Sequence, residues 1–356
     1  MNTLLLPVAG SSSRFPGMRP KWLLTMPNGN LMYEESIKGI DIKKFSRVII
    51  TCLQDHIDNY ADYDLLLKSA QKNIHKKVEI LVLKRPTSSH AETIYETLVK
   101  KKVEGKFFLK DCDNFFNIDY KSGNNISVLS LNNIDLVDAK NKSYVEVDDQ
   151  GFVNNIIEKN VISNLFCCGG YSFESAKEFK SYYKKLLKSN IRYKNEIYVS
   201  HVIYSMLIDG KKFTITEAEN YVDWGILREY RHYCRSFLTV FCDIDGVLLE
   251  NGSKFIKGGW STLGIKENID ALAKLQKENK LFLILTTSRP ESEKNYVYKE
   301  LKKYGLVPDG FIGGLPHSKR VLINDYSSTN QYPTSISLNL KRDSTQLTEL
   351  IEHLTL

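Results

Sequence analysis

The chain has 356 residues, of which 42% are hydrophobic and 26% charged, with a formal net charge of +7. That length exceeds what one core usually fills and predicts about two domains of roughly 100–200 residues each. No apolar run approaches the roughly 20 residues of a membrane span. The spread basic residues read mainly as solvated helix faces, and, with no aromatic-basic nucleic-acid motif present, any further role suits small anionic molecules better than nucleic acids.

The opening MNTLLLPVAG has no basic stretch ahead of its apolar residues and is read as a first strand rather than an export signal. Strands are predicted over 3–9, 47–53, 78–83 and 106–110, with a helix over 91–102. Further strands follow over 126–131 and 143–158, the latter broken by a turn at Gly151, and then helices over 174–189 and 196–208. Near residue 232 the pattern restarts. TVFCDID (239–245) is a fresh strand, followed by a helix over 266–279, a strand over 281–288, a helix over 291–304 and a strand over 320–326. Such alternation predicts α/β layers in two domains, 1–234 and 235–356. The six cysteines, Cys52, Cys112, Cys167, Cys168, Cys234 and Cys242, form no CxxC pair and read as reduced thiols of a cytoplasmic protein.

Two stretches carry chemistry. Ala9-Gly10-Ser11-Ser12-Ser13-Arg14 follows the first strand, and Pro20-Lys21 comes soon after. Small residues let backbone N–H groups converge on phosphate oxygens, Arg14 can grip phosphate with two donors, and Lys21 adds a point charge. In Asp243-Ile244-Asp245-Gly246 two carboxylates leave a strand end on one side. Like charges that close need a cation or shifted pKa values.

In the order of its segments, the first region resembles the nucleotidyltransferases that make nucleotide sugars and CDP-alcohols. The segments are Gly10–Arg14, Pro20-Lys21, Arg85–Thr93, Leu109–Phe116, Ile157-Glu158-Lys159, Gly169–Phe173 and Tyr221–Gly225. Members of that family often have glycine where Ser12 stands. The resemblance implies a Rossmann-like mixed sheet and a nucleoside triphosphate held by residues 9–13, with CTP or UTP the favoured donors. Arg85, Ser89 and His90 would read base and ribose, and Mg²⁺ would sit between Asp113 and Asp223. By its spacing Asp113 is preferred to Asp111 as the metal residue. Arg14 and Lys21 would spread transition-state charge, and Lys159 would hold the acceptor's phosphate.

The second region resembles the haloacid dehalogenase-like phosphatases, implying a small doubly wound domain without a large cap. On that resemblance Asp243 is the nucleophile and Asp245 the acid and base. Thr287, with Thr286 as the alternative, holds phosphate, as does Lys319 or Arg320. Asp243, Asp245 and Asp325 bind Mg²⁺, beside an Asn324 where an acid is usual, and Trp260 is a candidate wall of the substrate site. The implied activity is bifunctional. An NTP is coupled to a phosphorylated sugar or polyol with release of pyrophosphate, a precursor loses a phosphate, and the product serves surface polysaccharide. A choline- or glycerol-like acceptor is the alternative, as is a nucleotide-binding regulator with degenerate sites. The oligomeric state stays open, a homo-oligomer among the options.

Overall fold

In the computed structural model, which describes residues 2–133, 139–189, 196–324 and 335–355, the apolar run TLLLP becomes strand β1 (Thr3–Pro7). Its side chains alternate between two cores, with Leu4 and Leu6 in one and Leu5 in the other. A strand covered on both faces requires this alternation. The chain divides into two units, Met1–Tyr230 and Arg231–Leu356.

In the first unit β1 is followed by α1 (Met32–Ser36), β2 (Arg47–Leu53), α2 (Gln54–Tyr60), α3 (Tyr63–Ile74), β3 (Val78–Leu83) and α4 (His90–Lys100). Next come β4 (Phe107–Lys110), β5 (Asn114–Asn117), β6 (Asn125–Ser130), β7 (Ser143–Val147), β8 (Val153–Glu158) and β9 (Leu165–Phe173). The unit closes with α5 (Ala176–Ser189), α6 (Val199–Ile208), β10 (Thr214–Glu217), β11 (Glu219–Asp223) and the start of α7 (Leu227–Ser236).

The sheet runs β10-β6-β9-β4-β1-β2-β3, with β7 joining β9 and β8 joining β7. Strands β4, β1, β2 and β3 are parallel, whereas β9 is antiparallel to both β4 and β6. From β1 the chain first steps outward to β2 and β3, then returns to β4 on the other side of β1. That reversal opens a crevice beyond the carboxyl ends of β1 and β4, the usual ligand position in such sheets. One face is covered by α3, through Leu66, Ala70 and Ile74. The other is covered by α4, α5 and α6, through Ile94, Leu98, Phe179 and Val202. Asp62 caps α3 by accepting from the Leu65 amide at 2.9 Å, and Ser89 caps α4 by accepting from the Glu92 amide at 3.2 Å.

The second unit has β12 (Leu238–Asp243), α8 (Lys266–Lys277), β13 (Leu281–Thr286), α9 (Lys294–Lys302), β14 (Gly310–Ile312) and α10 (Leu347–Thr355). Its three described strands are parallel and lie in sequential order, so the doubly wound arrangement expected from the sequence is not formed by the described residues. The expected strand at 320–326 is likewise absent over 320–324, which is exposed coil; Val321 and Ile323 are 75% and 91% accessible. An apolar run becomes a strand only where a neighbouring ladder pairs its backbone groups. No described helix of the chain is long and apolar enough to cross a membrane.

Candidate active site

The loop after β1 and the turn after β4 meet at the crevice. Ser12 has φ +52°, a left-handed conformation that glycine adopts without penalty. Its hydroxyl accepts from the Lys21 amide at 3.0 Å, which ties the loop down. Lys21 is aimed by its neighbour. Trp22 is 1% exposed, and its indole N–H donates to His56 Nδ1 at 3.0 Å. The Lys21 ammonium reaches Asp113 Oδ2 at 2.5 Å, and Arg14 Nη2 lies 3.9 Å from the same oxygen. Burial opposes the charge on Lys21, but the adjacent carboxylate outweighs it and raises the pKa. Burial likewise opposes the charge on Asp113. Lys21, Arg14 and Lys142 together still hold that carboxyl well below the usual range.

The Asp113 turn is set from beneath by Lys110, which is fully buried. Its ammonium donates to the Asp111 carbonyl at 2.6 Å and to the Asn114 carbonyl at 2.9 Å, and also to the Asn114 side chain. Burial pushes its pKa down to about 8, against the pull of Asp111. Asp111 turns elsewhere. A side chain on Gly169 would come within 2.6 Å of its Oδ2, and His90 Nε2 lies 3.5 Å from its Oδ1. Burial raises its pKa, although His90 works the other way.

Asp223 reaches Asp113 through a short antiparallel pair. β11 pairs with β5, with Asp223 opposite Asn114, and the Trp224 amide donates to the Asp113 carbonyl at 2.8 Å. A Cβ placed on Gly225 would lie 2.9 Å from Asp223 Oδ1 and 3.5 Å from Asp113 Oδ2. Both carboxylates therefore converge on one point, which glycine leaves open. Among the described residues no group of three or more His, Cys, Asp or Glu could hold a metal ion. Two converging carboxylates still fit a hard cation whose remaining ligands are phosphate and water oxygens.

Sequence reasoning missed two residues here. Lys142 precedes β7, and its ammonium donates to Asp223 Oδ2 and to the Tyr221 hydroxyl. Tyr221 in turn donates to Asp223 Oδ2 at 3.2 Å. Tyr221 was open to inference, since it stands two positions from Asp223 on one strand and so shares its face. Nothing in the local sequence marks Lys142. Lys159, at the end of β8 with φ +55°, donates to the Tyr198 hydroxyl at 2.6 Å. Of the residues expected at base and ribose, Arg85 is exposed, Ser89 is spent on capping α4, and His90 faces Asp111. Gly10, Ser11 and Ser13 are exposed on the loop and Ala9 is buried beneath it.

The second unit gathers a separate set. Asp243 ends β12 opposite Thr286 of β13, and Arg320 Nη1 lies 3.2 Å from Asp243 Oδ2. Both Lys319 and Arg320 are exposed, and of the two it is Arg320 that reaches the carboxylate. Asp245 is held by Arg289, which is itself fully buried. Arg289 Nε donates to both carboxylate oxygens at 3.1 and 3.0 Å, and Nη2 to Oδ1 at 2.6 Å. Thr287 Oγ1 donates to Asp245 Oδ2 at 3.4 Å and accepts from the Arg289 amide at 3.0 Å. Trp260, expected to wall a substrate site, buttresses the arginine instead. Its carbonyl accepts from Nη1 at 2.6 Å, and its ring lies 5.2 Å from the guanidinium carbon. Arg289 stands two positions after Thr287, and sequence reasoning assigned it no role. Asp325 lies outside the described residues, and Asn324 is exposed.

No protein-family model matches the chain, and no curated protein matches it. Solved structures do. The chain is similar to the nucleoside-diphosphate-sugar pyrophosphorylase from Vibrio cholerae RC9, with TM-score 0.56, 20% identity and coverage of 65% of this chain and 99% of that one. It is similar to the inositol-1-phosphate CTP transferase from T. maritima, with TM-score 0.50, 16% identity and coverage of 64% and 90%. It is also similar to a UDP-glucose pyrophosphorylase complexed with UDP-glucose, with TM-score 0.50, 15% identity and coverage of 65% and 96%. At these identities the likeness is one of fold. The covered share matches in size the first unit, 230 of 356 residues.

Proposed function

We propose that the first unit transfers a nucleotidyl group from a nucleoside triphosphate to a phosphorylated sugar or polyol, releasing pyrophosphate. The observation that carries this reading is the convergence of Asp113 and Asp223 on the Gly225 cradle, with Arg14 and Lys21 alongside, at the carboxyl ends of β1 and β4. The loop over 9–13 would lie against the triphosphate, with Arg14 and Lys21 drawing charge from it as the bond to pyrophosphate breaks. Asp113 and Asp223 would hold Mg²⁺, which when bound neutralises triphosphate oxygens. Lys159 would orient the acceptor's phosphate for in-line attack at the α-phosphorus. Positioning and charge suffice for such a displacement, and no side-chain nucleophile is needed.

The fold of the three structural neighbours supports this reading, as do their names: two nucleotide-sugar pyrophosphorylases and an inositol-1-phosphate CTP transferase. For the second unit we propose phosphate-monoester hydrolysis of a pathway precursor, on the grouping of Asp243, Arg320, Asp245 and Thr287.

The test is a screen of pyrophosphate release with four NTPs against a panel of sugar and polyol phosphates, with phosphate release followed in parallel. Asp113→Asn is expected to lower transfer roughly 10²–10³-fold and spare phosphate release, and Asp243→Asn to do the reverse. Loss of both activities in either variant contradicts two independent sites.

A further inference from the structure

Each of the two converging carboxylates already has a lysine. Asp113 has Lys21, which the sequence pointed to; Asp223 has Lys142, which it did not. The Lys142 ammonium is well enclosed: its side chain is 18% exposed and that of Asp223 15%. It also donates to the Tyr221 hydroxyl at 2.8 Å and stands 5.3 Å from the centre of that ring. On the other side the Lys142 carbonyl accepts from the Lys159 amide at 3.0 Å, at the open end of the β7–β8 pair. Lys142 thus stands between the carboxylate pair and the lysine assigned to the acceptor's phosphate.

We propose that Lys142 is an exchangeable counter-ion of the transfer site: it occupies Asp223 when no divalent cation is present and moves to the acceptor's phosphate when one binds. This rests on the transferase reading above. The ammonium and a divalent cation cannot share Asp223 Oδ2. Both are positive, both need the same oxygen, and the enclosed site screens their repulsion poorly. A lysine side chain is long and jointed, so the ammonium can leave the carboxylate while its backbone stays bonded to Lys159. A dianionic phosphate beside Lys159 gives it a new partner of opposite charge. The acceptor and the divalent cation then assist each other, because each removes an obstacle to the other.

The consequence runs against the usual effect of deleting an active-site residue. Mn²⁺, a hard divalent probe, is titrated into the full-length protein without nucleotide, and the free ion is followed by its paramagnetic resonance signal. Lys142→Met keeps the apolar stem and removes the competitor. It is expected to bind Mn²⁺ roughly five- to tenfold more tightly than wild type. The same variant is expected to lose roughly ten- to hundredfold in kcat/KM for the acceptor, with the KM for the NTP little changed. Lys142→Arg keeps the charge and should retain wild-type Mn²⁺ affinity. A residue with a merely structural role would not raise metal affinity. If Lys142→Met binds Mn²⁺ no more tightly than wild type while Asp223→Asn weakens it, the role of Lys142 is overturned and the transferase site stands. If wild type binds no Mn²⁺ even with an NTP present, the reading of the site falls, and the role of Lys142 falls with it.

Discussion

At the scale of single residues, two backbone positions set the geometry of the proposed transfer site. Ser12 adopts φ +52°, a conformation that costs a non-glycine residue about 1 kcal/mol, and its hydroxyl offsets this by bonding the Lys21 amide. Gly225 is needed for another reason, since a methyl group there would come within 2.9 Å of Asp223 Oδ1. In Gly225→Ala the carboxylate has to rotate out of line with Asp113. Transfer is expected to fall roughly ten- to hundredfold, with the melting temperature changed by only a few degrees. Steady-state kinetics beside a thermal melt check this, and unchanged kinetics would refute the role of the cradle. Asp113 was preferred to Asp111 because its spacing to the phenylalanines that follow fits the segment of the family it resembles, and the structure brings Asp113 toward Asp223 at Gly225. Lys142 was not, because its partner lies 81 residues away and no local pattern records that pairing.

At the scale of elements, the β5–β11 pair and the buried Lys110 beneath it fix the turn that carries Asp113. A lysine is almost never fully buried unless its donors are satisfied, and here three bonds satisfy it. Its pKa falls from 10.5 to about 8 in the folded chain. Between those values the unfolded chain keeps a proton that the folded chain has shed, so raising the pH disfavours unfolding. From pH 8 to 9.5, wild type is therefore expected to gain about 2 kcal/mol relative to Lys110→Met. Urea midpoints at the two pH values measure this; a constant difference between the proteins would show that Lys110 does not titrate there. Most strands of the first unit could be read from apolar periodicity and turn residues, but of its helices only α4, α5 and α6 were. The strand expected at 320–326 could not be judged that way, because an apolar run records the tendency of a strand and not the presence of a partner. The packing of Trp260 on Arg289 is of the same kind, set by a contact across 29 residues.

At the scale of the whole molecule, the chain carries two carboxylate-centred sites in two separate units. Each has its own cations, Arg14, Lys21 and Lys142 in the first, Arg289 and Arg320 in the second. The alternation of apolar runs made both α/β units legible. The crevice of the first could be expected only once the reversal in its strand order was visible, because sheet order is set by long-range pairing. The central claim is that Asp113 and Asp223 act together on the triphosphate. Its most direct test is the single-turnover rate of pyrophosphate release for Asp113→Asn, Asp223→Asn and the double variant, with saturating NTP and acceptor. Each single change is expected to lower the rate roughly 10²–10³-fold, and the double change to add little, because either removal already disables the shared site. Rates within a factor of about two of wild type, or losses in the two single variants that simply multiply in the double, would contradict it.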